Sequence, residues 1–244
     1  MPYFVLSLFS TIMGALIGIG GGLIIRPCLA IMDVSKNLAT FSSAVTVLAM
    51  SIANIVTHHR RGTDLKLSGT LYLAFGSIVG GFLGGGILNY VSTAIVNTGY
   101  IFVLILVLIS VFGRPFLPSM TVHNPIVQFA IGLVTGSLSG FFGIGGGPFQ
   151  MVALILFFNL NCKDAAVQSI VITMLTTISS VIRYSMDGYI DFSLAVYMIP
   201  AAILGGILGS IINRKMTDKT ITRIFCMTVM LMIGLQVMKV AGLI

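Results

Sequence analysis

Gly18-Ile19-Gly20-Gly21-Gly22 and its near copy Gly143-Ile144-Gly145-Gly146-Gly147 are the residues on which the fold of this chain turns. Each run interrupts an apolar stretch, roughly 3–32 and 126–159, that is too long for one ordinary crossing of a bilayer. Three consecutive glycines weaken a helix by about 1 kcal/mol each relative to alanine. In hydrocarbon, backbone released from a helix must be buried in protein or line a cavity. A break also starts a new helix, whose free N–H groups and dipole favour an anion.

Composition fixes the solvent. Of 244 residues 57% are hydrophobic and 8% charged, with a mean hydropathy of +1.10. A soluble domain carries about a quarter charged residues. The apolar stretches are continuous and long, without the alternation of barrel strands, so the expectation is an all-α integral membrane protein. Eight hydrophobic segments are read: 3–32, 39–57, 67–89, 94–113, 126–159, 165–185, 191–213 and 219–241. The net charge of +7 lies in short loops, where it sets topology, and no basic groove with interleaved aromatics points to nucleic acid. The first segment lacks a basic n-region and a small-residue cleavage site, so it reads as mature protein rather than a signal peptide.

The chain is an internal duplication. The glycine runs stand 125 residues apart, and Gly80, Gly81 and Gly84 precede Gly205, Gly206 and Gly209 by the same offset. Lys36, Ala39, Ser42 and Thr46 match Lys163, Ala166, Ser169 and Thr173 at an offset of 127. Two membrane repeats of four segments follow, 1–118 and 119–244, with Pro115, Pro118 and Pro125 between them. If every segment crosses once, Lys and Arg divide six against seven between the two sides. If segments one and five dip in and turn back at their glycines, the division is nine against four, which fits the positive-inside rule. Three crossings per half then make the repeats inverted. Glycine-broken, re-entrant segments in matching positions of inverted repeats point to a transport site.

Candidate substrate-binding residues follow from that picture. Gly20, Gly21 and Gly22 with Gly145, Gly146 and Gly147 would present backbone N–H groups to an anion. Ser42, Ser43 and Thr46, with Gln168, Ser169 and Thr173, would add donors without a full buried charge. Ser42/Thr46 and Ser169/Thr173 each share a helix face. The competing reading is that these hydroxyls bond the carbonyls of their own helices. Gln150 is a further donor, and Arg183 a candidate counter-charge that could equally pair with Asp187. Arg26 is ambiguous in the same way, as a counter-charge for substrate or an anchor at the interface. Gly80, Gly81, Gly84, Gly205, Gly206 and Gly209 read as helix-packing positions.

Other chemistries lack their residues. Cys28, Cys162 and Cys226 are scattered, without metal or disulfide spacing. The glycine runs lack the Gly-Lys-Ser/Thr ending of a phosphate-binding loop, and no cofactor motif is present. No acid sits mid-segment, which argues against a buried carboxylate proton relay.

Across essentially its whole length the chain resembles the TauE/SafE family of sulfite and organosulfonate exporters, also called the toluene-sulfonate uptake permeases. The resemblance rests on the duplicated Gly-x-Gly-Gly-Gly, the Ser/Thr-bearing helix after each copy, and the loops His59-Arg60-Arg61-Gly62-Thr63-Asp64 and Asp187-Gly188-Tyr189-Ile190-Asp191. It implies secondary transport, by export, of sulfite, sulfoacetate or a related sulfur oxyanion in a cell inner membrane. The halves differ: Leu23 follows the first run and Pro148 the second. The expected mechanism is alternating access, one half rocking against the other around the helix breaks. Its partners would be a small anion and the bilayer, with a homodimer possible, and the protein would not be an enzyme. An anion channel and a membrane-embedded sulfur-relay protein are the alternatives.

Overall fold

The computed structural model describes residues 1–62, 69–113 and 121–241. Among them are ten α-helices and no strand. The first half contributes α1 (Pro2–Ile17), α2 (Gly22–Ile31), α3 (Lys36–Arg60), α4 (Leu71–Ile87) and α5 (Thr93–Gly113). The second contributes α6 (Pro125–Phe142), α7 (Gly147–Phe157), α8 (Cys162–Met186), α9 (Ala195–Lys215) and α10 (Asp218–Val240). The boundary expected at 118/119 lies outside the described residues, as do Thr63, Asp64 and Lys66.

Each glycine run breaks its segment in two and sends the chain back. Gly18 and Gly143 end α1 and α6 in the left-handed region, at φ 78° and 65°. Gly21 and Gly146 then cap α2 and α7, also at positive φ. The return is visible at the far ends. Ile25 and Leu29 of α2 cluster with Tyr3 and Leu6 near the start of α1. Val122, just before α6, donates to the carbonyl of Phe157 at the end of α7 (2.9 Å). Both first segments are therefore re-entrant hairpins. Each hairpin closes on a non-glycine residue at positive φ, Asp33 (56°) and Asn159 (52°), in corresponding positions.

Six helices, α3, α5, α6, α8, α9 and α10, are long and apolar enough to cross a bilayer. Length alone misjudges two elements. α6 qualifies by length but turns back at Gly143, while α4, at 17 residues, falls short and is continued by a 3₁₀ turn at Leu88–Tyr90. The crossings are α3, α4 and α5 in one half and α8, α9 and α10 in the other.

The halves are inverted and interleaved. α1 lies parallel to α9 of the other half: Ser7 donates to the carbonyl of Met198 (2.7 Å) and Asn213 to that of Leu16 (2.6 Å). α6 lies parallel to α4 in the same way, with Gly76 against Phe129 and Gly84 against Ser137. A Cβ on Gly76, Gly80, Gly84, Gly132, Gly136 or Gly140 would strike backbone of the facing helix, so these glycines set the close approach of α4 and α6. α9 also runs parallel to α3, where Gly206 meets Met50 and Arg214 donates to the Arg61 carbonyl (3.2 Å). α3 and α8 run oppositely, since Phe41 near the start of α3 stacks edge-on with Phe192 beyond the end of α8. The core is thus two mixed three-helix groups, α1/α3/α9 and α4/α6/α8, that meet where α3 crosses α8.

Two lysines mark the two ends of the bundle. Lys36 Nζ donates to the carbonyls of Leu88 and Val91 (3.0 and 2.9 Å), and Lys163 Nζ to those of Arg214 and Met216 (3.2 and 2.9 Å). Each caps the C-terminus of the fourth helix in its own half. Arg60, Arg61, Arg214, Lys215, Lys219 and Arg223 lie toward the Lys163 end.

Candidate functional site

The two breaks meet inside the bundle. A Cβ on Gly22 would fall on the backbone of Ile144, and one on Gly147 would fall on the backbone of Ile19. These contacts are reciprocal under the 125-residue offset, so the pseudo-twofold axis passes between them. Gly20 lies beside Thr173 of α8 and Val47 of α3, and Gly145 beside the same Val47 and Thr177. Gly146 faces Ser139 of its own hairpin. Ile19 and Ile144 are fully buried.

Around this crossing the polar groups are unevenly used. Ser169 Oγ donates to the Gly18 carbonyl (2.8 Å) and Thr177 Oγ1 to the Gly145 carbonyl (3.2 Å), which ties both breaks to α8. Thr46 Oγ1 bonds its own helix at the Ser42 carbonyl (2.6 Å). Thr173 beside Gly20 and Ser139 beside Gly146 have buried hydroxyls without a hydrogen-bond partner among the described residues, as have Ser42 and Ser43 of α3. At the helix starts, no backbone acceptor among the described residues takes the N–H groups of Gly21 and Leu23, or of Gly146 and Gly147. Such groups are costly in a dry interior unless something polar faces them. The centre therefore offers two helix N-termini and a set of free hydroxyls, with no acidic side chain. That combination suits an oxyanion.

Not every candidate belongs to this centre. Gln150, one turn into α7, is engaged by the α4–α6 contact, donating to Ser77 Oγ (3.0 Å) with Thr135 Oγ1 at 3.3 Å from its oxygen. Gln168 lies toward the Lys163 end, lining a cavity with Thr70, His123 and Gln128. Arg183 pairs with Asp187 (3.1 Å) and stacks on Phe82 at the Lys36 end. The structure brings together the two glycine runs and Thr173, tied by Ser169, keeps the Gln150 stem against Gly146 with its amide engaged elsewhere, and leaves Gln168 and Arg183 outside. Ser139 and Thr177 join the centre, and so does Val47, which touches both breaks. Ser139 stands four residues before Gly143, a spacing legible only once the chain is known to fold back there.

Two tyrosines brace the hairpins. Tyr100 of α5 donates to the Leu23 carbonyl (2.7 Å), and Tyr184 of α8 to the Gly140 carbonyl. Both side chains are fully buried. Among the described residues no three His, Cys, Asp or Glu side chains group as metal ligands.

Inverted repeats that bring two broken helices together in the interior of a polytopic bundle define a membrane transporter, and the comparisons agree. The chain belongs to the sulfite exporter TauE/SafE family, whose model matches residues 3–237. It is 28% identical to the probable membrane transporter protein YunE of Bacillus subtilis, over 95% of this chain and 94% of that one. It is 29% identical to the probable membrane transporter protein MJ0441 of Methanocaldococcus jannaschii, over 92% and 90% respectively. A probable membrane transporter protein of Xylella fastidiosa is 27% identical over 82% of this chain and 79% of its own. No solved structure matches the chain.

Proposed function

We propose that this protein is a secondary transporter that exports a small sulfur oxyanion, such as sulfite or sulfoacetate, across a cell inner membrane. The observation that carries the reading is the reciprocal contact of the two breaks, Gly22 on Ile144 and Gly147 on Ile19, with the unpartnered hydroxyls of Thr173 and Ser139 beside the glycine runs. Two helix dipoles converge there without any counter-acid, so an anion is the ligand whose charge they stabilise. The family's description as sulfite exporters supports the substrate class.

Transport proceeds by alternating access around this centre. The bodies that rock are α1/α3/α9 and α4/α6/α8, since α1 and α6 each pack on the opposite half. By the positive-inside rule, the excess cationic charge at the Lys163 end supports a cytoplasmic position for that end. With no motif for ATP, the driving force is an ion or substrate gradient.

The test is uptake of radiolabelled sulfite, thiosulfate and sulfoacetate into proteoliposomes, with and without a pH gradient, for wild type and Gly146→Leu. Saturable flux of one anion, lost in the variant, is the expected result. A folded wild type that moves none of them overturns the substrate class. Undiminished flux in the variant makes the glycines a packing device and moves the site elsewhere.

A further inference from the structure

Arg26 is the one cation of the hairpins, and among the described residues no carboxylate forms an ion pair with it. It lies in α2, one turn past the break, and is 4% exposed. Its Nε has no hydrogen-bond partner among the described residues. The groups within electrostatic reach are the ammonium of Lys36 and the hydroxyls of Tyr100 and Tyr184, the latter neutral and already donating to backbone carbonyls. A guanidinium does not shed its proton in a protein, so a buried one needs an anion. The corresponding residue of the second half is Met151, fully buried in an apolar setting, so the fold itself has no need of a cation at this position.

Arg26 also lines a cavity of about 250 Å³ that opens toward the Lys36 end. Lys36, Lys239, Asn97 and Asp33 line it as well. The lysine ammoniums each spend donors on backbone carbonyls, Lys36 on Leu88 and Val91 and Lys239 on Ala30, which fixes them in place and leaves their charge in the cavity. Three cations face one carboxylate, and Asp33 is exposed at the rim. Along α2, Arg26 stands about 6 Å from Gly22 at 1.5 Å per residue. The cavity therefore leads from the Lys36 end to within one helical turn of the breaks.

We propose that this cavity is a second oxyanion site, with Arg26 as its principal ligand and Lys36 and Lys239 as flanking charges. Its ligand is a small oxyanion group, either a dissolved anion on its way to or from the breaks or the phosphate of a lipid headgroup at the interface. For the dissolved anion, the assignment extends the transport reading by giving the pathway a charged station on one side only, since Met151 removes its counterpart.

The test is thermal unfolding of the purified protein in detergent, for wild type, Arg26→Met, Arg26→Lys and Gly146→Leu. Each is titrated with sulfite, thiosulfate or inorganic phosphate, and separately with zwitterionic or anionic phospholipid. Wild type is expected to gain several degrees in the presence of an oxyanion, Gly146→Leu to keep the part owed to Arg26, Arg26→Lys to gain less than wild type, and Arg26→Met to lose the part owed to Arg26. Methionine matches the other half, and Arg26→Met is expected to fold, melting without ligand no lower than wild type. A shift raised by anionic lipid and not by dissolved anions assigns the headgroup phosphate. A shift raised by dissolved anions assigns the vestibule, and the apparent KM for substrate offered at the Lys36 end then rises about tenfold or more in Arg26→Met, equivalent to about 1.4 kcal/mol. Stabilisation that is undiminished in Arg26→Met and disappears in Gly146→Leu overturns the second site and leaves the breaks as the anion centre. Absence of any stabilisation in wild type by anions and lipids alike overturns it too. Because unfolding is read without flux, an Arg26-dependent shift stands even if no anion is transported.

Discussion

Gly22 sits directly on the backbone of Ile144, so the first break of the chain is held by the second, 122 residues further on. Its mirror contact, Gly147 on Ile19, closes the pair. Neither hairpin has its final shape without the other.

Substituting alanine at either position forces a methyl group into backbone. Gly22→Ala and Gly147→Ala are each expected to cost about 1–3 kcal/mol of stability by overpacking, and to slow anion flux strongly. Gly234→Ala, within α10 where a Cβ meets nothing, is the control and is expected to leave flux unchanged and stability unchanged or raised by up to about 1 kcal/mol. Melting in detergent and proteoliposome flux read the two effects separately.

The hairpins make a prediction about sidedness. In a background with Cys28, Cys162 and Cys226 replaced by alanine, Pro2→Cys and Ser35→Cys are expected to react with an impermeant maleimide from the same side of the membrane. His123→Cys and Asp164→Cys are expected to react from the other side. Labelling of Pro2→Cys and Ser35→Cys from opposite sides would falsify the re-entrant reading of the first segment.

Lys36 and Lys163 do the same work in opposite halves, each holding two carbonyls at the end of the fourth helix of its repeat. Lys36→Met and Lys163→Met are therefore expected to lower stability by similar amounts, about 1 kcal/mol each after allowance for solvent at the bundle ends. A large loss from one and none from the other, measured by urea or thermal melts, breaks the structural equivalence of the repeats.

Ser169 and Ser42 occupy matching positions but differ in use. Ser169 donates to the Gly18 carbonyl, so Ser169→Ala is expected to cost about 1 kcal/mol and to loosen the first break. The Ser42 hydroxyl is buried and unpartnered, so Ser42→Ala is expected to leave stability unchanged or slightly raised. If Ser42 contributes to the anion centre, its loss shows instead as a raised KM for the transported anion. A destabilised Ser42→Ala with an unaltered KM removes it from the centre.

Much of this architecture was legible because it is written in local pattern. Four glycines in five residues cannot continue a helix, and the charge count of nine against four selects hairpins over crossings before any contact is known. The paired lysines and the helix-packing glycines of α4 and α9 were equally readable from their spacing. What lay beyond reach was non-local. No periodicity announces that α1 packs on α9 rather than within its own half, or that Gln150 is spent on Ser77 and Thr135. Arg183 and Arg26 look alike in sequence, each a cation close to an apolar segment. Asp187, four residues on, was a visible partner for Arg183, and the fold adds that the pair forms and that Arg26 has no such partner among the described residues.

The exchange of hairpins between halves also sets the order in which the protein can be made. Ser7 finds its acceptor 191 residues later, at Met198, and Leu16 waits for Asn213. During synthesis the N-terminal hairpin emerges long before α9 exists, with the polar backbone of its break still without the partner that will cover it. The first repeat is thus inserted as an unfinished body, and assembly completes only when the last fifth of the chain arrives. Folding of this kind, dominated by contacts of very high sequence separation, is slow and exposed to misassembly. A chain truncated before α9 is left with an unpartnered hairpin, a substrate for membrane quality control and not a smaller transporter.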